Sequence, residues 1–142
     1  MKLNWDDRGS EAIQAAIVTP LMIIFLCLAL AGGRVVTAGN KVDAAAEDAA
    51  REASISRTAG AARSNALAAA QETLADQGLT CSGTSVSVDA SGLNAPLGTV
   101  GTVRVTVACT VPLSDLMLPG APGSHTLTST FTSAVDAYRE RD

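Results

Sequence analysis

Aromatic residues make up only 3% of this 142-residue chain, and it has a single histidine. With so few rings, a folded core must be built from Val, Leu and Ala, so it is small and gains from a covalent tie. A small-molecule pocket is also poorly served, because such pockets are lined mainly by large apolar and aromatic side chains. The shortage of histidine leaves little for catalysis. His125 lies in a polar segment leading into a strand-like run, where a surface position suits it better than a base or a ligand. No Cys/His cluster has zinc-ligand spacing. No phosphate-cradling glycine loop stands out either, since the later glycines punctuate turns. Excess positive charge is missing too. The formal net charge is −4, which argues against nucleic acid as a partner, because that partner calls for basic stripes. The expectation is a protein with no enzymatic activity, no cofactor, no metal and no small-molecule substrate.

Charge is absent altogether from Ala12 to Gly33. That run of about 22 residues is long enough to cross the roughly 30 Å hydrocarbon core of a bilayer as a helix. Gln14, Thr19 and Pro20 interrupt it. In lipid, Pro20 kinks a helix rather than ending it, and the Thr19 hydroxyl can return a hydrogen bond to the backbone. Trp5 would rest among the near headgroups. The expected organisation is a tail over 1–11, a single membrane helix over 12–33, a helix over 34–78 and a small β domain over 79–142. Other readings stay open. Ala29-Leu30-Ala31 offers a signal-peptidase site, although Asp6, Asp7 and Glu11 offset Lys2 and Arg8 in the head, and the run exceeds an ordinary signal core. A buried core helix of a soluble protein is the second rival, against which the length counts. A lipoprotein signal is set aside because Leu26 precedes Cys27. Lys2 and Arg8 before the span and Arg34, Lys41 and Arg51 after it do not choose a side.

Beyond Arg34 the chain is rich in Ala and charged residues and free of proline as far as Gln77. Val42, Ala46, Ala49, Ala53 and Ser56 keep helical spacing, as do Ala59, Ala62, Ala66 and Ala70. Glu47 and Arg51 are a mildly favourable pair four residues apart. Gly78 reads as a left-handed helix stop. The sequence therefore predicts one long amphipathic helix, with bends conceivable at Gly32-Gly33, Gly39 or Gly60. The period then changes to two. Val86 and Val88 alternate with polar residues, Val103 to Val111 with threonines, and Leu127 to Ala137 with threonines again, which predicts three strands. Three strands with one apolar face need cover, and the helix supplies it, giving an α+β fold. Between the last two strands, Leu113, Leu116, Met117 and Leu118 serve either as a contact patch or as a plug for the open end of the sheet.

There are three cysteines. Cys27 lies inside the span, where a small packing residue is the simplest reading. Cys81 and Cys109 both flank strand-like segments in the distal part. A bridge between them would close a loop of roughly 29 residues and contribute roughly 3.5 kcal/mol in the chain-entropy model. The alternative is two reduced thiols packed as small hydrophobes. A bridge is at home in an oxidising compartment, so the N-terminus is expected in the cytoplasm and the distal domain outside the cell membrane.

The order of a membrane helix, a long helix and three strands is also the plan of a type IV pilin-like subunit. Arg8-Gly9-Ser10 leading into the apolar run, with Pro20 early in it, resembles the N-terminus of the TadE family, pilin-like proteins of the tight-adherence (Tad/Flp) pilus system. Gly33-Arg34-Val35-Val36 and the helix from Val42 to Ala53 are similar to TadE-like proteins of actinobacteria. So are the Cys pair, Cys109 to Leu116, and the late Thr-rich strand ending near Tyr138. The resemblance implies cutting by a prepilin peptidase after Gly9, leaving Ser10 first. Family members often carry glutamate at the fifth mature position. Here that position is Gln14, and Glu11 stands second. A glutamate there can pair with a neighbour's new amine in an apolar bundle, whereas Gln14 can only hydrogen-bond. In the other reading, Gly9 merely ends a polar tail and Gln14 helps helices associate. The implied role is that of a minor, pseudopilin-like structural subunit in Tad pilus assembly or a related secretion apparatus. The implied partners are the membrane, the Flp pilin and other pilin-like subunits, Tad membrane platform proteins and, indirectly, a cytoplasmic ATPase. The alternative is a single-pass anchored binding or adhesion module that joins no filament.

Intact-mass measurement of membrane-extracted protein separates these N-terminal fates. Pilin-type processing gives a chain starting at Ser10, whereas secretion with loss of the anchor gives one starting at Gly32.

Overall fold

The computed structural model describes residues 8–116 and 120–138. Its first element, α1 (Arg8–Ile55), is a helix of 48 residues with Pro20 inside it. At 1.5 Å per residue it is a rod of roughly 70 Å. It stays helical through Gly32, Gly33 and Gly39. Its near half is uncovered, with Phe25 70% exposed and Ile13, Leu21 and Leu28 similarly bare. A core helix of a soluble protein would be mostly buried, so that reading fails. The far half is amphipathic. Ala38, Val42, Ala45, Ala46, Ala49, Ala50 and Ala53 are buried along one stripe, at the spacing that puts side chains on a single helix face.

The chain then reverses. Residues 56–58 are not helical, and α2 (Ala59–Asp76) follows as a separate helix. The single helix expected over 34–78 is thus two helices packed side by side and antiparallel. The Asn65 amide donates to Ser56 Oγ (3.1 Å), and further along the Thr73 hydroxyl donates to Asp48 Oδ2 (2.9 Å). Local chemistry explains the break. The Ser54 and Ser56 hydroxyls donate back to the carbonyls of Arg51 and Glu52, a competing bond that weakens a helix end. Thr58 then caps α2 by accepting from the Ala61 N–H at 3.1 Å, the usual role of a hydroxyl at that position. Global packing favours the same outcome. A straight helix over 34–78 would run to roughly 65 Å, far past the sheet, and would leave Ala62, Ala66, Ala70 and Leu74 with nothing to cover. Folded back, all four are buried.

Gly78 ends α2 as expected, with φ of 66°. The Leu79 N–H reaches the Leu74 carbonyl and the Gly78 N–H reaches that of Ala75, both at 2.9 Å. This is a Schellman stop, with Leu79 packed against the buried cluster to which Leu74 belongs. Three strands follow, β1 (Gly83–Asp89), β2 (Gly101–Pro112) and β3 (Ser124–Val135), in an antiparallel meander with β2 in the middle. A one-turn helix, α3 (Leu113–Leu116), joins β2 to β3. Val103, Val105, Val107, Cys109 and Val111 of β2 face the helices and are fully buried. α1 packs over β2 and β3, while α2 packs beside α1 and over β1. The head is therefore two layers, helix pair on sheet. At its distal end the Ser133 hydroxyl donates to Ser54 Oγ at 3.1 Å, tying β3 to α1.

The opposite sheet face carries mainly Ser and Thr and no covering layer among the described residues. Thr106 pairs with Thr130 and Thr110 with Thr126 through hydroxyls 2.8 and 2.9 Å apart. Such cross-strand pairs stabilise a wet sheet face modestly. At the end of the sheet far from the apolar run, a 3₁₀ turn over Ser91–Asn94 tucks Leu93 into the core. There Gly92 and Gly101 meet backbone to backbone. A Cβ on Gly92 would overlap the Thr102 backbone, and one on Gly101 would overlap the Gly92 carbonyl.

Gly101→Ala should lower head stability by about 2 kcal/mol or more, since neither backbone can yield cheaply. Thermal melts in mild detergent would show the shift, and an unchanged midpoint would contradict this packing.

Candidate functional site

The residues singled out from sequence fall into two places. Gly9, Ser10, Glu11, Gln14 and Pro20 all lie on the near half of α1, while Cys81 and Cys109 lie in the head. Gly9 and Ser10 occupy the first turn of α1. Glu11 and Gln14, three residues apart and both exposed, share one helix face. Pro20 removes a backbone donor, yet the helix continues through it. The hydroxyl-to-backbone bond anticipated at Thr19 occurs at Thr37 instead, whose hydroxyl donates to the Gly33 carbonyl at 2.9 Å. Trp5 and the charges of Lys2, Asp6 and Asp7 lie outside the described residues.

Among the described residues nothing in the head reaches the stretch from Gln14 to Leu28, which is exposed residue after residue. A bare apolar helix of this length is one candidate membrane-spanning segment and fits a single-pass membrane protein. Its surface is uneven. A shallow apolar trough lined by Val18, Met22, Phe25, Leu26 and Ala29 runs along one side, the relief that lets another helix settle closely. The free Cys27 is exposed on the same segment.

In the head, the Cys81–Cys109 bridge is formed, with Cα atoms 5.4 Å apart. That spacing is ordinary for a disulfide. Cys109 is fully buried on the central strand, and Cys81 sits half-buried just before β1. The bridge therefore pins the α2–β1 connection to the middle of the sheet. Ser82 reinforces it by donating both its N–H and its hydroxyl to the Thr110 carbonyl, at 2.8 and 3.0 Å. Of the Leu113, Leu116, Met117 and Leu118 group, Leu116 is buried and Leu113 half-buried; Met117 and Leu118 lie outside the described residues. The described pair thus plugs the sheet end. Phe131 lies on β3, an edge strand of the sheet. It pairs with Val105 on the helix-facing side, yet it is 39% exposed at the sheet edge, beside Asn40, Asp43 and Glu47 of α1.

Electrostatic features of the head are mild. Glu47 and Arg51 form the expected i,i+4 pair at 3.6 Å, largely in solvent, where such pairs are worth only a few tenths of a kcal/mol. The Asp89 carboxyl is held below its usual pKa by the Ser91 side chain first, then by the Ser91 N–H and by nearby Arg104. This is a turn-forming interaction at the end of β1.

Together these features describe an α+β protein whose long first helix carries a candidate membrane span at one end and packs into the head at the other. Residues 9–51 match the family model of the TadE-like proteins. The match covers the apolar span and most of the amphipathic half of α1, and ends before the turn at 56–58. It is consistent with a TadE-like protein. No curated protein and no solved structure matches the chain.

Under denaturing, non-reducing conditions maleimide should label Cys27 alone, and all three cysteines after reduction. The double substitution Cys81→Ala and Cys109→Ala should cost the head about 2–4 kcal/mol, read as a lower unfolding midpoint.

Proposed function

We propose that this protein is a minor, pseudopilin-like structural subunit of a Tad-type pilus or a related secretion apparatus, and that it has no catalytic role. The observation that carries this reading is the coincidence of two features on one segment. The TadE-like match falls on residues 9–51, and the apolar part of that segment is left bare by the rest of the chain. A bare span can store the subunit in lipid and then pack against other pilin-like helices or a membrane platform, since association in lipid depends on close side-chain fit rather than on burial from water. The trough around Met22 and Phe25 is one such surface. Glu11 and Gln14 lie at the opening turns, where a peptidase cut after Gly9 would place a new amine. Gln14 hydrogen-bonds a neighbour but cannot balance its charge. Glu11, on the same face, is the acid available for that purpose.

The topology that goes with this function places the N-terminus in the cytoplasm and the head outside. A formed Cys81–Cys109 bridge supports it, because disulfides persist in oxidising compartments. The head then makes lateral contacts. The expected partners are the Flp pilin, other TadE- or TadF-like subunits and platform proteins, with a cytoplasmic ATPase acting through them. The rival role, an anchored adhesion module outside any filament, differs in what touches the span.

A photo-crosslinker at Ile17, in the native membrane, distinguishes the two. Covalent adducts with pilin-like subunits or platform proteins are the expected result. Adducts with lipid alone would leave the helix solitary and favour the anchored module.

A further inference from the structure

We propose that the junction between α1 and the underside of the head binds the headgroup of an anionic phospholipid. The inference rests on the reading of 12–33 as a membrane span and goes beyond any role in filament assembly. A groove of about 550 Å³ lies there, between α1 and the segment Gly78-Leu79-Thr80, with α3 closing one side. Its position is set by α1. Ala29 and Leu30, inside the apolar run, form its lower wall, and Ala31 beside them is buried. The head therefore sits directly on the end of the span, and the groove lies at the depth where hydrocarbon gives way to headgroups.

The upper wall is cationic. Arg34 and Lys41 both line the groove, seven residues apart and so on one helix face, about 10 Å apart along the axis. The Thr37 hydroxyl lies between them in sequence and is occupied by the Gly33 carbonyl. Facing them is one acid, the exposed Asp115 of α3. Among the described residues neither Arg34 nor Lys41 forms an ion pair. An Arg fork and a Lys ammonium suit a phosphodiester, and basic pockets beside membrane helices are natural seats for anionic headgroups. Leu30, Leu79 and Leu116 supply an apolar surface for the start of the acyl chains. A soluble anion would match the cations but not this wall or this depth. The occupant is therefore a lipid of the leaflet on the head's side.

The test uses the full chain in nanodiscs of phosphatidylcholine with an equal share of phosphatidylglycerol. Native mass spectrometry after gentle release reads the retained lipid. Two cations at an anionic surface should give a preference for phosphatidylglycerol of roughly tenfold. The pair Arg34→Gln and Lys41→Gln should abolish it, the pair Arg34→Lys and Lys41→Arg should keep it, and Arg63→Gln with Arg104→Gln, elsewhere on the head, should leave it intact. Equal retention of both lipids, or an undiminished preference after Arg34→Gln and Lys41→Gln, overturns the proposal. So does displacement by inorganic phosphate, which would mark a soluble-anion site. A chain that fails to enter nanodiscs at all would instead overturn the membrane reading on which this one stands.

Discussion

The alanine stripe of α1, from Ala38 to Ala53, is the contact on which the rest of the head depends. It is wedged between the sheet on one side and α2 on the other, and each of its alanines is buried. Small side chains let both neighbours approach the helix backbone closely. That closeness makes up for the lack of rings: the core gains its density from near contact of backbones and from the valines of β2, not from large side chains. A core of this kind has little slack. A larger residue at Ala46 or Ala49 has no space to enter, and a loosened helix pair would uncover the valine face of the sheet at once.

Because the same helix also carries the apolar run, the two halves of the molecule cannot be arranged independently. One hydrogen-bonded rod passes from the apolar run into the head without a linker. The azimuth of the head about the span is then fixed by helical phase: choosing the face of Ala38 and Val42 as the core face also chooses which side of the span lies beneath the sheet. Thr37 and the two glycines at 32 and 33 lie at the crossing point, and they do not interrupt the rod. Ala29 and Leu30 share a groove with Leu79 and Leu116, so the head reaches down to the end of the apolar run.

Much of this was legible in the residues. The uncharged run, the glycine stop at Gly78, the three alternating strands and the Cys81–Cys109 pair each carry a strong local signal, and the structure has all of them. The turn at 56–58 was hidden for a definite reason. The apolar period runs through it almost unbroken, from Ala53 and Ser56 to Ala59 and Ala62, so a stripe count reads one helix where there are two. The signal that was present is the spacing of hydroxyls, Ser54, Ser56 and Thr58, two that bond backwards and one that caps forwards. Alternation assigns Phe131 a face but not a position in the sheet, and at an edge the inward face is still half open. The contact of Gly92 with Gly101 and the groove under the head arise from tertiary approach alone and leave no local trace. At the candidate assembly site the sequence supplied Gly9, Glu11, Gln14 and Pro20, and the structure adds that none of the described head residues shields them.

The meander has a mechanical corollary. β3 runs away from the apolar run, parallel to α1, and ends beside the far tip of that helix, where Ser133 meets Ser54. A load applied between the lipid and the outer end of β3 would draw the strand and the rod past each other lengthwise. Every contact along their shared flank would resist at the same moment, instead of parting one after another like a zip. With the cystine holding the α2–β1 corner to the middle strand, the head is braced against being peeled open from its base. A small, ring-poor fold can in this way withstand tension that its modest equilibrium stability would not suggest.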